Sequence, residues 1–445
     1  MTKSQPKSRN YVLPIAIMFA LFFMIAFVTG YQNPLGKVIK QMTGDNIVMT
    51  QLGTLANFIA YLFMGIPAGK ILERKGYRMT ALWAVTVGFT GVFITYLSGM
   101  IADTNTALTI YIVGALVAGC SMCMLNTVVN PMLNSLGKDQ NQGNQLVQFG
   151  GTCNSLGATL APVIVAGLLG RTASTISSAN PVFYMAMAIF AVAFLVLYFS
   201  KLPEAPNLGQ PVKDAPKLSG AFRYSNFTFG FIAIFCYVGL EVGIANWTFN
   251  YLEGSPIVSQ YNTNAGAAAG SVCGMYWLLM LVGRLIGGSI GGKVSSRVML
   301  TFTSIIGAMF LVTGILSSES VVNFIGFDAS SLSFFIVRIP LNAIFFVLCG
   351  LCTSVMWGSI FNLSVQGLGK YTAVASGLFM MMVCGGGILP MIQGVIGSSN
   401  ILTGFWLTVA LCIYLLCYAL ILSRPSKTQP QAEEDLYENG VEVKA

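Results

Sequence analysis

The dominant pattern of the sequence is the alternation of long apolar runs with short polar segments. A membrane-spanning helix needs roughly 20 apolar residues, within a range of ~17–25, and twelve runs of this kind follow one another along the 445 residues. The runs lie near 11–36, 48–70, 79–100, 106–134, 146–169, 181–200, 227–252, 266–291, 298–316, 334–361, 372–396 and 402–423. The pattern predicts an all-α membrane protein with twelve transmembrane helices in two six-helix bundles.

The longest polar interruption separates the sixth apolar run from the seventh. Residues 201–226, KLPEAPNLGQPVKDAPKLSGAFRYSN, are rich in proline and charge, which is typical of a linker. This segment predicts an N-terminal bundle over 1–200 and a C-terminal bundle over 227–423. Residues 424–445 are polar and acidic, and we expect them to form a disordered cytoplasmic tail.

Composition supports the membrane interpretation. Hydrophobic residues make up 55% of the chain and charged residues only 9%, whereas a soluble domain carries about 25% charged residues. This excludes a soluble enzyme and a nucleic-acid-binding protein, and it makes lipid the surrounding partner. With the N-terminus inside, 19 of the 23 Lys and Arg residues fall on the inner side and 4 on the outer. The sequence therefore predicts that both termini are cytoplasmic.

Several kinds of site chemistry have little support in the sequence. Histidine is absent, which excludes imidazole metal ligands and imidazole proton relays. The pairs Cys120/Cys123 and Cys349/Cys352 have the spacing of redox or zinc motifs, but both lie in apolar runs, which favours buried helical thiols. No Walker A motif is present. We expect neither an enzyme, nor a cofactor, nor a bound metal.

The two halves of the chain carry a weak internal repeat. Residues 65–78, GIPAGKILERKGYR, and residues 283–297, GRLIGGSIGGKVSSR, each place small residues four apart before a basic turn. Small residues at this spacing let two helices approach closely. The repeat and the six-plus-six arrangement resemble the major facilitator superfamily, whose loop signature would here comprise Gly65, Gly69, Arg74, Gly76 and Arg78. The resemblance implies alternating access around a site at the midplane.

One acidic residue falls inside an apolar run. Glu241 lies within FCYVGLEVGIANWTFNYL, whereas the other acidic residues lie in loops, tails or at the ends of runs. A carboxylate in the bilayer costs on the order of 2.5–3.5 kcal/mol. It is therefore either a proton, cation or substrate site, or a structural group satisfied by amides and hydroxyls. We expect no basic partner at its depth, because Arg284 falls near the cytoplasmic end of one run and Arg338 at the outer start of another. Anionic substrates are disfavoured for the same reason.

Amides are unusually frequent inside the apolar runs: Gln32, Asn33, Asn57, Asn126, Asn130, Gln148, Asn154, Asn246, Asn250, Asn342, Asn362 and Gln393. Any single amide can serve as a hydrogen bond between helices. As a set, the amides offer donors and acceptors that suit a neutral polyhydroxylated ligand. Trp247 and Trp357 could supply aromatic platforms for the faces of a sugar.

Four segments resemble the fucose:proton symporter family, which includes fucose permease and bacterial glucose/galactose transporters. They are MLNTVVNPMLNSLG (124–137), NSLGATLAP (154–162), YVGLEVGIANW (237–247) and SIFNLSVQGLGKYTAVASGLFMMMVCGGGILPMIQG (359–394). The resemblance implies transport of a neutral monosaccharide, such as glucose, galactose or fructose, across the bacterial cytoplasmic (inner) membrane.

The chain departs from this family where the family carries carboxylates. Asn33 stands where the family has an aspartate that takes part in proton coupling, and Asn126 stands where it has a glutamate. An amide does not exchange a proton near neutral pH. Two hypotheses therefore stay open: proton or sodium symport through Glu241, and uniport without a coupling ion. The residues expected around the sugar are Asn33, Asn126, Asn130, Asn154, Asn246, Trp247 and Trp357.

A second class of function competes with sugar transport. The 22 methionines and the many aromatic residues would suit the adaptable apolar pocket of an efflux transporter for small amphipathic compounds. The intramembrane amides argue against this alternative, because such a pocket has no use for so many hydrogen-bonding groups.

Overall fold

A computed structural model describes residues 11–30, 38–39, 42, 52–169, 175–204, 218–328 and 332–424. Asn33 and most of the predicted tail lie outside these residues. Before the linker, the main helices are α1 (Val12–Gly30), α2 (Leu52–Ser98), α3 (Thr104–Ser135), α4 (Gln140–Leu169) and α5 (Asn180–Phe199). A single 3₁₀ turn at Ile176–Ala179 precedes α5.

The helices after residue 217 are shorter and more often interrupted, and the first of them lies within the predicted linker 201–226. They are α6 (Leu218–Ala221), α7 (Ser225–Glu253), α8 (Pro256–Tyr261), α9 (Ala265–Gly291), α10 (Ser296–Leu316), α11 (Leu341–Thr353), α12 (Met356–Val365), α13 (Thr372–Met381), α14 (Gly385–Ile396) and α15 (Ile401–Cys417). Strands β1 (Val321–Asp328) and β2 (Ser333–Pro340) precede α11. Turns of 3₁₀ helix cover Gly369–Tyr371 and Met382–Cys384, and a π turn covers Tyr418–Leu422.

The helices confirm the predicted fold class. Within the described residues, 10 helical segments are long and apolar enough to cross a membrane, and the pairs α11/α12 and α13/α14 each form one of them. The segment in α2 is 44 residues long and contains two spans, because Gly76 breaks the helix. Adding α4, with its 30 residues, brings the total to the twelve spans predicted from the apolar runs.

Gly76 separates the two arms of α2. Its φ of 77° lies in the left-handed region that favours glycine. The carboxylate of Glu204 accepts hydrogen bonds from the backbone N–H groups of Tyr77 and Arg78 at 2.6 and 2.9 Å. The Arg78 guanidinium donates to the carbonyl groups of Leu197 and Tyr198 at the end of α5. These bonds fix the turn against the start of the linker, and we name this end of the helices the linker side.

The opposite end carries a β-hairpin, and we name it the hairpin side. The expectation that a helical run begins near 334 is wrong, because residues 333–340 form β2 and the helix begins at Leu341. Val321 pairs with Pro340 and Ile325 with Ile336. The hairpin packs on α9, where a Cβ at Gly326 would lie 2.3 Å from the Ser271 hydroxyl oxygen. A short apolar run alone does not distinguish a strand from a buried helix.

The two halves approach most closely through small residues. A Cβ at Gly65 in α2 would lie 2.6 Å from the carbonyl oxygen of Gly377 in α13, and one at Gly377 would lie 2.3 Å from the carbonyl oxygen of Gly65. Helix α9 meets α4 in the same way, with Gly288 against the Phe149 ring. Helix backbones can come this close only where side chains are missing. These contacts join the halves toward the linker side.

Candidate functional site

The two halves share a hydrogen-bonded centre made of amides and an indole. Asn126 and Asn130 lie four residues apart on α3, so both face the same way. Asn130 Oδ1 accepts a hydrogen bond of 3.0 Å from Trp357 Nε1, which belongs to the other half. Asn130 Nδ2 donates to the Asn126 carbonyl oxygen at 2.9 Å. Both amides are buried. An uncharged group from each half therefore meets at one point.

Asn126 extends this centre toward α2. Its Nδ2 donates to the Tyr61 hydroxyl oxygen at 2.9 Å and to the Met122 carbonyl oxygen at 3.1 Å. Buried amides are expected to be paired in this way, because each unpaired polar atom would lose its hydration without compensation. The arrangement puts a hydroxyl and two amides in direct contact without a formal charge.

Trp357 owes its position to an interruption of its helix. Helix α11 ends at Thr353 and α12 begins at Met356, so the indole lies in the first turn of a new helix. The centroid of its ring lies 6.2 Å from that of the Tyr237 ring and 6.0 Å from that of the Phe379 ring, and both contacts are edge-on. Edge-on aromatic contacts of this kind hold a ring in one orientation. The indole N–H is thereby aimed at Asn130.

Glu241 has a basic partner, so the expectation that none lies at its depth is wrong. Arg284 Nη2 lies 3.6 Å from Glu241 Oε1, and both side chains are largely buried, at 10% and 14% exposure. The Tyr237 side chain is completely buried beside this pair. Tyr237 and Glu241 are four residues apart on α7 and share one face. The centre of this half therefore contains an ion pair with no net charge.

Arg284 also reaches across to the other half. Its Nη1 donates to the Ser155 hydroxyl at 2.7 Å and to the Gly151 carbonyl oxygen at 3.1 Å, both on α4. Its Nε donates to the Ser354 carbonyl oxygen at 3.3 Å, between α11 and α12. Arg284 lies about two turns before the end of α9, and its long side chain carries the charge toward the middle of the protein. Sequence position gives the depth of the Cα atom but not the direction in which a long side chain extends.

Further polar contacts between the halves lie toward the linker side. Gln148 Nε2 donates to the Val355 carbonyl oxygen at 2.8 Å. Asn362 Nδ2 donates to Asn134 Oδ1 at 2.7 Å and to the Gln140 carbonyl oxygen at 3.0 Å. These amides act as hydrogen bonds between helices, one of the two roles open to them on sequence grounds.

The other predicted site residues are dispersed. Asn154 is half-buried, and its Nδ2 donates to the Phe22 carbonyl oxygen of α1 at 3.1 Å. Trp247 Nε1 donates to the Pro390 carbonyl oxygen within its own half at 2.9 Å. Asn246 is exposed, and Asn33 lies outside the described residues. The structure thus brings together Asn126, Asn130 and Trp357 and does not place Asn246 or Trp247 with them.

Two helical halves with a shared polar centre and two close-packed helix pairs define a multi-pass membrane transporter. The chain belongs to the Major Facilitator Superfamily, whose family model matches residues 17–391. It is 26% identical over 424 residues to the glucose/galactose transporter of Brucella abortus (strain 9-941), covering 94% of this chain and 95% of that protein.

A second relative and a solved structure agree with this assignment. The L-fucose-proton symporter of Escherichia coli K12 is 23% identical over 451 residues, covering 94% of each chain. The structure of the E. coli fucose:proton symporter FucP matches with a TM-score of 0.75 at 19% identity, covering 94% of this chain and all of that one. The resemblance to the fucose:proton symporter family is therefore confirmed.

Proposed function

We propose that this protein is a secondary transporter that moves a neutral monosaccharide, a hexose such as glucose, galactose or fructose, by alternating access. The observation that carries the proposal is the uncharged centre in which Trp357 of one half bonds Asn130 of the other at 3.0 Å. Hydroxyl groups of a sugar can replace such bonds one for one, because each hydroxyl both donates and accepts. The sugar transporters among the relatives support the same substrate class.

The charges near the centre favour a neutral substrate. Glu241 and Arg284 neutralise one another, and the Arg284 guanidinium already donates to Ser155, Gly151 and Ser354. An anionic substrate would have to displace these acceptors, and a cationic one would have to compete with Arg284 for Glu241. A hexose needs neither change. The aromatic rings of Trp357 and Tyr237 add an apolar surface for the face of the ring.

We assign the main sugar contacts to Asn126, Asn130 and Trp357. Asn154 would lie at the edge of the sugar site, and Asn33 is included on the basis of the sequence alone. Asn246 and Trp247 take a peripheral place in the proposal. The halves 1–200 and 227–423 would move about this centre as bodies joined by 201–226. With the linker side in the cytoplasm, the contacts of Gly65 with Gly377 would close the cytoplasmic end of the site.

For coupling, we favour uniport. Asn126 supplies no proton-binding group, and Glu241 is engaged by Arg284 at 3.6 Å. Symport through Glu241 would require the bound cation to compete with this guanidinium. Uniport predicts that uptake stops when the sugar concentrations on the two sides are equal, and that neither protonophores nor sodium change it.

Counterflow in proteoliposomes tests the substrate class. Separate vesicle preparations are loaded with unlabelled glucose, galactose or fructose and receive the same sugar as a label outside, with the other hexoses, mannose and fucose as competitors. Transient accumulation of label with a clear order of competition supports a hexose carrier, and vesicles without protein give the baseline. Absence of accumulation with every sugar would overturn the proposal and favour efflux of amphipathic compounds.

A separate measurement tests coupling. Uptake of labelled sugar is followed under an imposed proton or sodium gradient in the wild type and in Glu241→Gln. Uniport predicts that neither protein concentrates the sugar. Concentrative uptake in the wild type that disappears in Glu241→Gln would instead establish cation symport through Glu241.

A further inference from the structure

We propose that Arg284 is a positioning residue that exchanges acceptors between the two halves during the transport cycle. In the arrangement seen here it bonds Ser155 and Gly151 of the N-terminal half, and in the opposite arrangement it closes onto Glu241 of its own half. The inference rests on the proposed alternating-access function. It adds that Arg284 keeps the two end states of the transport cycle similar in free energy.

The distances show which acceptor Arg284 now uses. Its bonds to the Ser155 hydroxyl and the Gly151 carbonyl oxygen measure 2.7 and 3.1 Å. Its distance to the Glu241 carboxylate is 3.6 Å, longer than the ~2.7–2.9 Å of a charge-assisted hydrogen bond. The guanidinium therefore bonds the opposite half directly and holds Glu241 at electrostatic range.

The packing shows why the first set of acceptors must be lost. Ser155 and Gly151 lie on α4, and Arg284 lies on α9. The two helices touch toward the linker side, where Gly288 meets the Phe149 ring and Gly291 meets the backbone of Gln145. Opening the linker side separates these helices, so both acceptors of Nη1 withdraw from Arg284. Nε keeps the Ser354 carbonyl oxygen of its own half, but Nη1 is left without an acceptor, which is unfavourable for a buried charged group.

Glu241 is placed to take over. It belongs to the same half as Arg284, so the two stay together when the halves part. Helix α7 is held in position around it, because the Tyr276 hydroxyl donates to the Glu241 carbonyl oxygen at 3.2 Å and also contacts the Thr353 hydroxyl at 3.1 Å. A small rotation of the guanidinium converts the 3.6 Å contact into a direct bond. The carboxylate then serves as the second acceptor in a two-position exchange.

This exchange of acceptors gives the Glu241–Arg284 ion pair a role in the transport cycle, separate from any contribution to the stability of the fold. Buried ion pairs add little net stability, because desolvation offsets their attraction. An arginine with one set of acceptors in each end state keeps the two states close in free energy, which a carrier needs in order to cycle. The proposal therefore predicts opposite effects when the two sets of acceptors are removed separately.

Amide hydrogen exchange tests the prediction in lipid nanodiscs without sugar. The exchange is followed over 140–148 and 287–292 on the linker side. Ser155→Ala removes an acceptor of the closed arrangement, and exchange there should rise about tenfold, the effect of losing one bond to a charged group. Glu241→Gln weakens the acceptor of the open arrangement, and exchange should fall. The double variant should return toward the wild-type rate.

Matched variants separate exchange of acceptors from simple loss of packing. Thr159→Ala deletes a hydroxyl one turn further along α4 that donates to the Ser155 carbonyl oxygen at 2.9 Å, and it should leave exchange unchanged. If Ser155→Ala and Glu241→Gln move exchange in the same direction, or if neither moves it, Arg284 is a structural residue and the proposal is overturned. Because the assay contains no sugar, failure of the counterflow experiment does not affect its outcome.

Discussion

Trp357 and Asn130 are 227 residues apart in the chain, and their side chains join the two halves of the protein through one hydrogen bond of 3.0 Å. The donor comes from a helix that is interrupted after Thr353, and the acceptor comes from the long uninterrupted helix α3. Substrate that competes for this bond would act directly on the contact between the halves.

Trp357→Phe should weaken sugar binding while leaving the fold intact. The variant keeps an aromatic ring against Tyr237 and Phe379 but removes the indole N–H, so Asn130 Oδ1 loses its donor. An unsatisfied buried acceptor costs about 1–3 kcal/mol. Because the indole N–H is also lost as a donor to the sugar, we expect counterflow of the preferred hexose to need roughly tenfold more sugar, and the melting temperature to fall by the cost of one buried hydrogen bond.

Trp247→Phe is the matched control for that variant. Its indole N–H bonds the Pro390 carbonyl oxygen within one half, at 2.9 Å. Its loss should lower the melting temperature without changing the sugar concentration at half-maximal counterflow. Equal effects of both variants on sugar affinity would show that the Trp357–Asn130 bond has no special role.

Asn126→Asp should make transport depend on pH. The wild-type amides do not titrate, and under uniport we expect counterflow to be flat between about pH 5.5 and 8. In the variant, the protonated side chain resembles the amide that it replaces. Once it is deprotonated, it places an unpaired buried charge beside Tyr61 and Asn130. Counterflow should therefore fall with rising pH, by about tenfold or more.

The wild-type profile provides the test of this reasoning. Counterflow by the wild type that itself changes with pH would point to a titrating group already in the cycle, for which Glu241 is the candidate. Asn126→Gln is the control, because it changes length without adding an ionisable group, and it should lower the rate equally at every pH.

Sequence reasoning succeeded where periodicity and local spacing carry the information. Asn126 and Asn130 share a helix face by their separation, and the apolar runs located the spans. It failed for Arg284, because the position of a residue along a helix does not reveal how far a flexible four-bond side chain extends. It also failed at 333–340, where strand and helix share one apolar pattern. The bond between Trp357 and Asn130 is a tertiary contact that only the arrangement of the halves defines.

Gly76→Ala should lower stability more than an ordinary helical substitution. The residue has φ of 77°, and a Cβ there would lie 2.5 Å from Glu204 Oε2. The substitution adds backbone strain of about 1–3 kcal/mol and displaces the carboxylate that accepts from Tyr77 and Arg78. Thermal unfolding in detergent measures the effect, and Gly76→Asn should be at least as harmful, because a φ of 77° with a ψ of 178° is a conformation that essentially only glycine adopts. Equal stability of Gly76→Ala and the wild type would show that this turn can relax freely.

Gly65→Ala should shift the protein away from the arrangement closed on the linker side. The added methyl would meet the Gly377 carbonyl oxygen at 2.6 Å and the backbone nitrogen of Met381 at 2.8 Å, and neither backbone atom can turn aside. Overpacking of this kind costs about 1–3 kcal/mol, here only while α2 and α13 are in contact. We expect faster amide exchange over 372–381 and slower counterflow.

Gly270→Ala is the control for Gly65→Ala, because no atom of the residues that the structure describes lies within 4 Å of a Cβ at Gly270 in α9. Alanine is favoured over glycine inside a helix by about 0.8–1 kcal/mol, so this variant should be as stable as the wild type or more so, and transport should be unchanged. If Gly65→Ala behaves like Gly270→Ala, the two helices have room to separate at no cost. Contact between α2 and α13 then cannot be what holds the linker side closed, and the bonds of Arg284, Gln148 and Asn362 would have to do so.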